Sequence, residues 1–460
     1  MPDHDTIVAI GTAAGESALG VVRLSGPLSS KIMERLFVPA APNASLIPRV
    51  AHHGRVRDPA SSRVIDEVLV CFFPSPASYT GEDVLEISGH GSMVALRLIV
   101  DVCRGLGARM AEPGEFTKRA FLNGKLSLDE AEAVADVISA QSDASLHAAQ
   151  QHLSGAFAAA VEDLRSRITH LMAHVEASLD FPDDEIEAIG GTQLASQVHG
   201  IADTVSGILD TFQHGRILRE GLNLVLAGPP NAGKSSLLNA LLRYERALVT
   251  PIPGTTRDTV EESLLIKGIP VKAIDTAGLR VSDDLVERLG VERARKRMQE
   301  ADIVILVLDM SEDLCPETEE FLMNALPREP AKILCLNKMD LPRRRGENAD
   351  TREFAAVVPT SALMGEGINL LEAAVADVVS AATPQRGEEM LIVARLRHRE
   401  LLEAAKGSLV QALKAMSTGA PLDCVSIDLR DAFNSLGQIS GGDGTEDLLD
   451  AIFSEFCIGK

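Results

Sequence analysis

Gly228-Pro229-Pro230-Asn231-Ala232-Gly233-Lys234-Ser235 fits G-x-x-x-x-G-K-[ST], directly after the apolar run Leu222 to Ala227 and directly before the helical run Ser236 to Leu242. Glycines at both ends let the backbone curl round a phosphate, with main-chain N–H groups and the helix N-terminus facing its charge. Lys234 reaches the β and γ oxygens, and the Ser235 hydroxyl can ligate Mg2+. This stretch predicts a strand, a phosphate loop and a helix, the nucleus of an α/β nucleotide-binding domain.

Working outward, apolar strand-like runs alternate with helical ones at Pro270 to Asp275, Ile303 to Asp309, Lys332 to Asn337 and Ala355 to Val358. Polar motifs follow three of these runs. Asp275-Thr276-Ala277-Gly278 puts an acid where the magnesium shell can be held and a Gly N–H where a γ-phosphate can be sensed. In Asn337-Lys338-Met339-Asp340 the aspartate can accept from guanine N1 and N2, which adenine does not present, so GTP is selected over ATP. Ser361-Ala362-Leu363 can offer a backbone N–H to guanine O6. The helix-starting Ser236 completes the loop, and Thr250-Pro251-Ile252-Pro253-Gly254-Thr255-Thr256 is the segment expected to close on the nucleotide, with Thr256 on the metal. Leu279 stands where many GTPases keep a water-orienting Gln, and an apolar side chain cannot do that work. A carboxylate acting through a second water, or a cation, can substitute. Glu287 is the nearest carboxylate for the first role, its alternative being a solvated helix face.

The rest of the 460 residues implies further domains. Residues 1–122 mix β-branched runs (Thr6 to Ile10, Gly20 to Leu24, Val64 to Phe73, Val84 to Ile87) with short helical stretches, an α+β texture. From Leu128 the period becomes helical, and a further helix is expected from about Leu194 to Leu218. Helical texture returns after Val379, over Leu396 to Met416, Pro421 to Leu436 and Glu446 to Phe456. The expected division is 1–122, 123–218, 219–379 and 380–460: an N-terminal α+β domain and a discontinuous helical domain with a Ras-like α/β P-loop domain inserted in it. Two separate helical domains are the alternative.

A formal charge of −22 opposes general attraction to nucleic acid, so such a partner has to use a local basic patch. Six cysteines without a C-x-x-C pair suit reduced thiols, and no apolar run reaches a membrane span, so a cytoplasmic protein is expected.

Several ordered stretches resemble one family over essentially the whole length. They are Asp5-Thr6-Ile7-Val8-Ala9, Gly81-Glu82-Asp83-Val84-Leu85-Glu86 with Gly89-His90-Gly91, Pro113-Gly114-Glu115-Phe116, Arg119-Ala120-Phe121-Leu122-Asn123, Phe181-Pro182, Asn231 to Ser236, and Phe456-Cys457-Ile458-Gly459-Lys460. The chain is similar to the MnmE (TrmE) family of tRNA-modification GTPases. The resemblance implies a homodimer held by N-terminal domains that bind a tetrahydrofolate derivative, 5-formyl or 5,10-methylene, as one-carbon donor. It implies association with the flavoprotein MnmG, which carries FAD, and construction of aminomethyl-type groups on C5 of the wobble uridine of tRNA. It also implies a potassium ion held by Asn231, Thr250, Ile252 and Thr255, with Glu287 as the catalytic glutamate. The folate residues carry over as Arg23, Glu86, Lys125 and Lys460, each of which by itself reads as a surface charge. Cys457 carries over as a residue of the modification chemistry, beside the plainer reading of a tail thiol; Gly459-Lys460 is incompatible with a prenylation box. Pro251 and Pro253 depart from the expected potassium loop and stiffen it. Two rival functions share parts of this pattern: a regulatory ribosome-assembly type switch without folate chemistry, and a folate enzyme for which GTP is regulatory.

Overall fold

The structure, a computed structural model, describes residues 5–41, 46–180, 191–244, 261–275, 295–312, 326–327, 330–343, 352–381, 391–442 and 446–460. It comprises two compact units: Met1–Ala135 with His152–Glu162 and Gly437–Lys460, and Asp136–Gln151 with Asp163–Leu436.

In the first unit the strands are β1 (Ile7–Ile10), β2 (Ser17–Ser25), β3 (Phe37–Pro39), β4 (His52–Arg57), β5 (Val64–Phe73), β6 (Val84–Gly91) and β7 (Arg109–Met110). They form one sheet in the order β3-β4-β5-β6-β2-β1-β7, antiparallel except for the β1–β7 pair. Alternation assigns its faces. Val22, Leu24, Val68, Val70, Leu85 and Ile87 are buried against the helices Ser29–Leu36 and Met93–Gly105, through Ile32, Leu36, Leu96 and Ile99. The residues between them, Arg23, Cys71 and Glu86, lie on the other face. Register pairs Arg23 and Cys71 each with Glu86, so the three stand side by side.

An ion network, buried at Arg119 and Glu115 and partly exposed elsewhere, ties the start of the chain to the helix Glu115–Leu122. Arg119, 6% exposed, reaches Asp5 at 2.5 Å, Glu115 at 3.0 Å and Glu82 at 3.1 Å. Arg109 joins Asp5 at 2.6 Å and Glu115 at 2.7 Å. Burial pushes the Asp5 and Glu115 carboxyls upward, but hydrogen bonds and charge from Arg109 and Arg119 outweigh it and hold both below the usual range.

The second unit contains the other sheet: β8 (Leu222–Ala227), β9 (Glu261–Ile266), β10 (Ile269–Asp275), β11 (Ile303–Asp309), β12 (Ala331–Asn337) and β13 (Ala356–Pro359), ordered β13-β12-β11-β8-β10-β9. All neighbours are parallel except the β9–β10 hairpin. Every residue of β11 is buried, as a strand covered on both faces requires. One layer of the core joins Leu224 and Leu226 to Leu237 and Leu241 of the helix Lys234–Tyr244 and to Leu371 and Val375 of the helix Ile368–Ala381.

The helix expected over Leu194 to Leu218 is two, Gly191–Leu209 and Phe212–Glu220. The break is tertiary in origin: the Thr211 hydroxyl donates to the Ile208 carbonyl at 2.7 Å and accepts from the Val393 N–H at 2.9 Å. The second helix is then tied on both sides. Arg219, in its last turn, and Arg395 both bind the Asp136 carboxylate, at 3.0 and 2.8 Å, and Arg216 pairs with Asp302 at the foot of β11. Residues before and after the α/β domain thus share one carboxylate.

Two outcomes are expected for the first unit. Because Asp5 and Glu115 have folded pKa values below their unfolded ones, the stability they contribute is present above about pH 4 and is lost as pH falls through the lowered values. Replacing Arg119 with Met removes the cation that Asp5, Glu82 and Glu115 share, leaving Arg109 to Asp5 and Glu115 alone, and should cost this unit about 3 kcal/mol, read by calorimetric unfolding at pH 7; an unchanged transition would show that the network is not stabilising.

Candidate functional site

The C-terminal ends of β8, β10, β11 and β12 lie along one edge of the parallel sheet, where ligands of open α/β sheets bind. The phosphate loop leaves β8 at Gly228. A Cβ at that position would lie 2.3 Å from the Val307 carbonyl, and φ is +146°, so only glycine fits. Gly233, with φ +93°, is equally constrained, because a Cβ there would meet the Asn337 amide at 2.3 Å. Asn231 is left-handed, at φ 63°. Lys234 is buried, and its ammonium donates to the carbonyls of Gly228 at 3.1 Å and Pro229 at 2.9 Å. The loop therefore holds its own cation in place. Ala232 is buried, whereas Ser235 and Ser236 are exposed at the start of the helix.

Asn337, 2% exposed, connects this loop to the base-reading end. Its amide donates to the Ala232 carbonyl at 2.9 Å, while its Oδ1 accepts from the Ala362 N–H at 3.1 Å and from the Thr360 hydroxyl at 3.3 Å. Asp340 accepts from the Ser361 hydroxyl at 2.6 Å, and the Met339 N–H bonds the Thr360 carbonyl at 3.1 Å. Ser361 is buried and Leu363 is 82% exposed. The carboxylate expected to read guanine is thus already oriented, and the loop 361–363 is fixed to the same asparagine.

Three participants escape motif reading: Thr360, Ser311 and Asp309. Lys338 Nζ lies 2.6 Å from Asp309 Oδ2, and Ser311 binds Oδ1 through its N–H at 2.8 Å and its hydroxyl at 2.6 Å. Burial pushes the Asp309 carboxyl up, yet Lys338 and Ser311 prevail and keep it below the ordinary range. The available signal was an acid closing the wholly apolar run Ile303 to Leu308, in the same position as Asp275 and Asn337 on their strands.

Asp275 ends β10, in register with Leu226 of β8. Thr250, Pro251, Ile252, Pro253, Gly254, Thr255, Thr256, Thr276, Ala277, Gly278 and Glu287 lie outside the described residues.

The first unit holds a second polar cluster. Arg23 donates from Nε to Glu86 at 2.9 Å, with a further contact from Nη2 at 2.8 Å, and its guanidinium lies 5.9 Å from the ring centroids of both Tyr79 and Phe116. The C-terminal tail returns to this face: Ile458 bridges Pro113, the Phe116 N–H bonds the Lys460 carbonyl at 3.2 Å, and Arg23 donates to the Gly459 carbonyl at 3.4 Å. Burial and the Arg23 charge lower the Lys460 pKa, opposed by Glu86 and Cys457. Lys125 donates to the Pro76 carbonyl at 3.3 Å, in the loop that carries Tyr79. Cys457 is exposed. Arg23, Glu86 and Lys460 are therefore brought together from positions up to 437 residues apart in the chain, 460 minus 23. Among the described residues, no helix is long and apolar enough to cross a membrane.

A guanine-reading loop stapled to a phosphate loop, on an α/β domain inserted into helices and joined to an α+β domain, defines a multidomain P-loop GTPase. Family models agree: that of the MnmE helical domain matches residues 128–457, and that of the GTP-binding protein TrmE N-terminus matches residues 6–125. The tRNA modification GTPase MnmE of Carboxydothermus hydrogenoformans is 42% identical over 99% of this chain and 100% of its own length. The protein of the same description from Bacillus subtilis is 41% identical over 99% and 100%. The chain belongs to the MnmE family of tRNA-modification GTPases. Among solved structures, the G domain of the T. maritima FeoB iron transporter aligns with 34% of this chain and 98% of that one at 30% identity, with a TM-score of 0.26.

Replacing Asn337 with Ala leaves the buried Ala232 carbonyl and the half-buried Ala362 N–H without their partner, a loss of about 1–3 kcal/mol. GDP affinity measured by calorimetry should fall by tenfold or more; an unchanged value would mean that the staple does not organise the site.

Proposed function

We propose that this GTPase works in the modification of wobble uridine C5 in tRNA, with the FAD-carrying flavoprotein MnmG as partner and a tetrahydrofolate derivative, 5-formyl or 5,10-methylene, as one-carbon donor. The product carries an aminomethyl or carboxymethylaminomethyl group. The observation that carries this reading is the convergence of Arg23, Glu86 and Lys460 on one sheet face, remote in sequence from any nucleotide motif. A ribosome-assembly type switch has no use for it.

The cluster fits a folate. Glu86 can accept from the pterin's amino edge, Arg23 supplies a cationic donor beside it, and the partly exposed Tyr79 supplies an aromatic wall. Lys125 is assigned to the same ligand, and Cys457, whose charge acts on Lys460, is assigned to the modification chemistry. Bound there, the folate supplies the one-carbon unit; this chain's side chains bind and orient it.

In the nucleotide domain Mg2+ is held by Ser235, whose exposed hydroxyl opens the helix after the loop, and by Thr256. Potassium is assigned to Asn231, exposed and left-handed, with Thr250, Ile252 and Thr255. It substitutes for the charge that Leu279 cannot help to organise, and Glu287 orients the attacking water. A homodimer joined by the N-terminal domains brings two such nucleotide domains together.

Three measurements test the parts separately. GTP hydrolysis should be at least tenfold faster in potassium than in sodium, and Glu287→Ala should reduce it by about two orders of magnitude; equal rates in the two salts remove the potassium assignment. Arg23→Ala should weaken 5-formyltetrahydrofolate binding by tenfold or more in calorimetry while GTP affinity is unchanged. Wobble nucleosides from cells lacking the protein should be missing the C5 substituent in mass spectrometry, and intact nucleosides would overturn the tRNA reading.

A further inference from the structure

Asp309 stands on the last residue of β11, directly opposite Asn337 on β12, yet it belongs to none of the motifs that predict a nucleotide site. It is 7% exposed. A carboxylate this dehydrated needs a structural or chemical reason, and its side chain ties the turn after its own strand to the loop after β12. One oxygen is taken by Ser311, twice; the other faces the Lys338 ammonium at 2.6 Å.

Lys338 has a constraint of its own. Its φ is +64°, a left-handed conformation that a side-chain-bearing residue adopts only against steric resistance. Met310 N–H bonds the Asn337 carbonyl at 3.1 Å on one side of it, and Met339 N–H bonds the Thr360 carbonyl at 3.1 Å on the other. This twist is what allows Asn337 to face the phosphate loop while Asp340, three residues on, faces Ser361 and the base position. A rotation of the Lys338 backbone would move both.

We propose that Asp309, oriented by Ser311, is a positioning residue that anchors Lys338 in its left-handed conformation and so sets Asp340 for recognition of guanine. The inference rests on the assignment of Asn337 to Asp340 to the guanine ring and adds a residue of β11 to that site. Charge and geometry cooperate. The anion holds the lysine ammonium at 2.6 Å, and the N–H and hydroxyl of Ser311 fix the other carboxylate oxygen. Burial of the carboxylate makes the pair stronger than a surface ion pair, because little water reaches Asp309, although Lys338 remains partly exposed.

The test uses the full-length chain carrying Asp309→Asn or Ser311→Ala, with GDP and IDP affinities measured by displacement of a fluorescent GDP analogue. IDP lacks only the exocyclic amino group that Asp340 is placed to accept. Asp309→Asn should weaken GDP binding about tenfold and reduce the GDP-to-IDP preference at least threefold, as the loss of one charged contact implies. Steady-state GTP hydrolysis is read as kcat and KM separately, and the defect should appear chiefly as a raised KM. Ser311→Ala should shift the preference in the same direction by less, and it decides the matter if the Asn variant does not fold. A preference unchanged in the folded variants overturns the proposal, whatever happens to their melting temperatures. Asp340→Asn is run beside them. If that change also leaves the preference untouched, the guanine assignment falls together with the proposal; if it alters the preference while the other two do not, only the role of Asp309 falls.

Discussion

The nucleotide site depends on one buried amide. Asn337 bonds the phosphate loop through its nitrogen and the 360–362 loop through its oxygen, so the two halves of a GTP site, carried by different strands, are held at a fixed separation. Because Asn337 is almost fully dehydrated, each of these bonds is expensive to break, and the spacing between phosphate and base is rigid before any ligand arrives. Preorganisation of this kind removes part of the ordering cost of binding. The buried Lys234, already drawn in by the carbonyls of its own loop, serves the same end from the phosphate side.

The parallel sheet makes this arrangement possible. Its central strands are apolar on both faces and cannot slip in register without exposing themselves, so their C-terminal ends form a stable line from which Gly228, Asp275, Asp309 and Asn337 emerge. The other unit solves a different problem with a mostly antiparallel sheet. There one face is covered by helices and the alternate residues are left for chemistry, which is how Arg23 and Glu86 come to pair within a fold whose opposite face is hydrocarbon. The returning tail then adds Lys460 to that polar face.

The Asp136 contacts give the inserted domain a defined base. A residue before the insertion binds an arginine at its entrance and another after its exit, so the two chain crossings are held to one point. Thr211, two turns before Arg219, and Val393 repeat the pattern, and this contact falls where a run of helical periodicity divides into two helices.

Wherever a local rule operates, the sequence by itself was decisive. Apolar runs ended by polar motifs located β8, β10, β11 and β12 to within a residue or two, because a strand buried on both faces admits little else. Glycine spacing located the phosphate loop, since only glycine tolerates φ +146° against the Val307 carbonyl. Short or polar elements were not legible: β4, His52–Arg57, carries mostly polar side chains and is a strand because β3 and β5 pair with it. The tertiary structure alone decided which charges meet. Arg23 with Glu86 and Lys460, Asp309 with Lys338, and Arg119 with three carboxylates are all products of register and chain return, which periodicity does not encode. Long-range ion pairing follows from where backbones are already held, and a sequence records the charges without recording their neighbours.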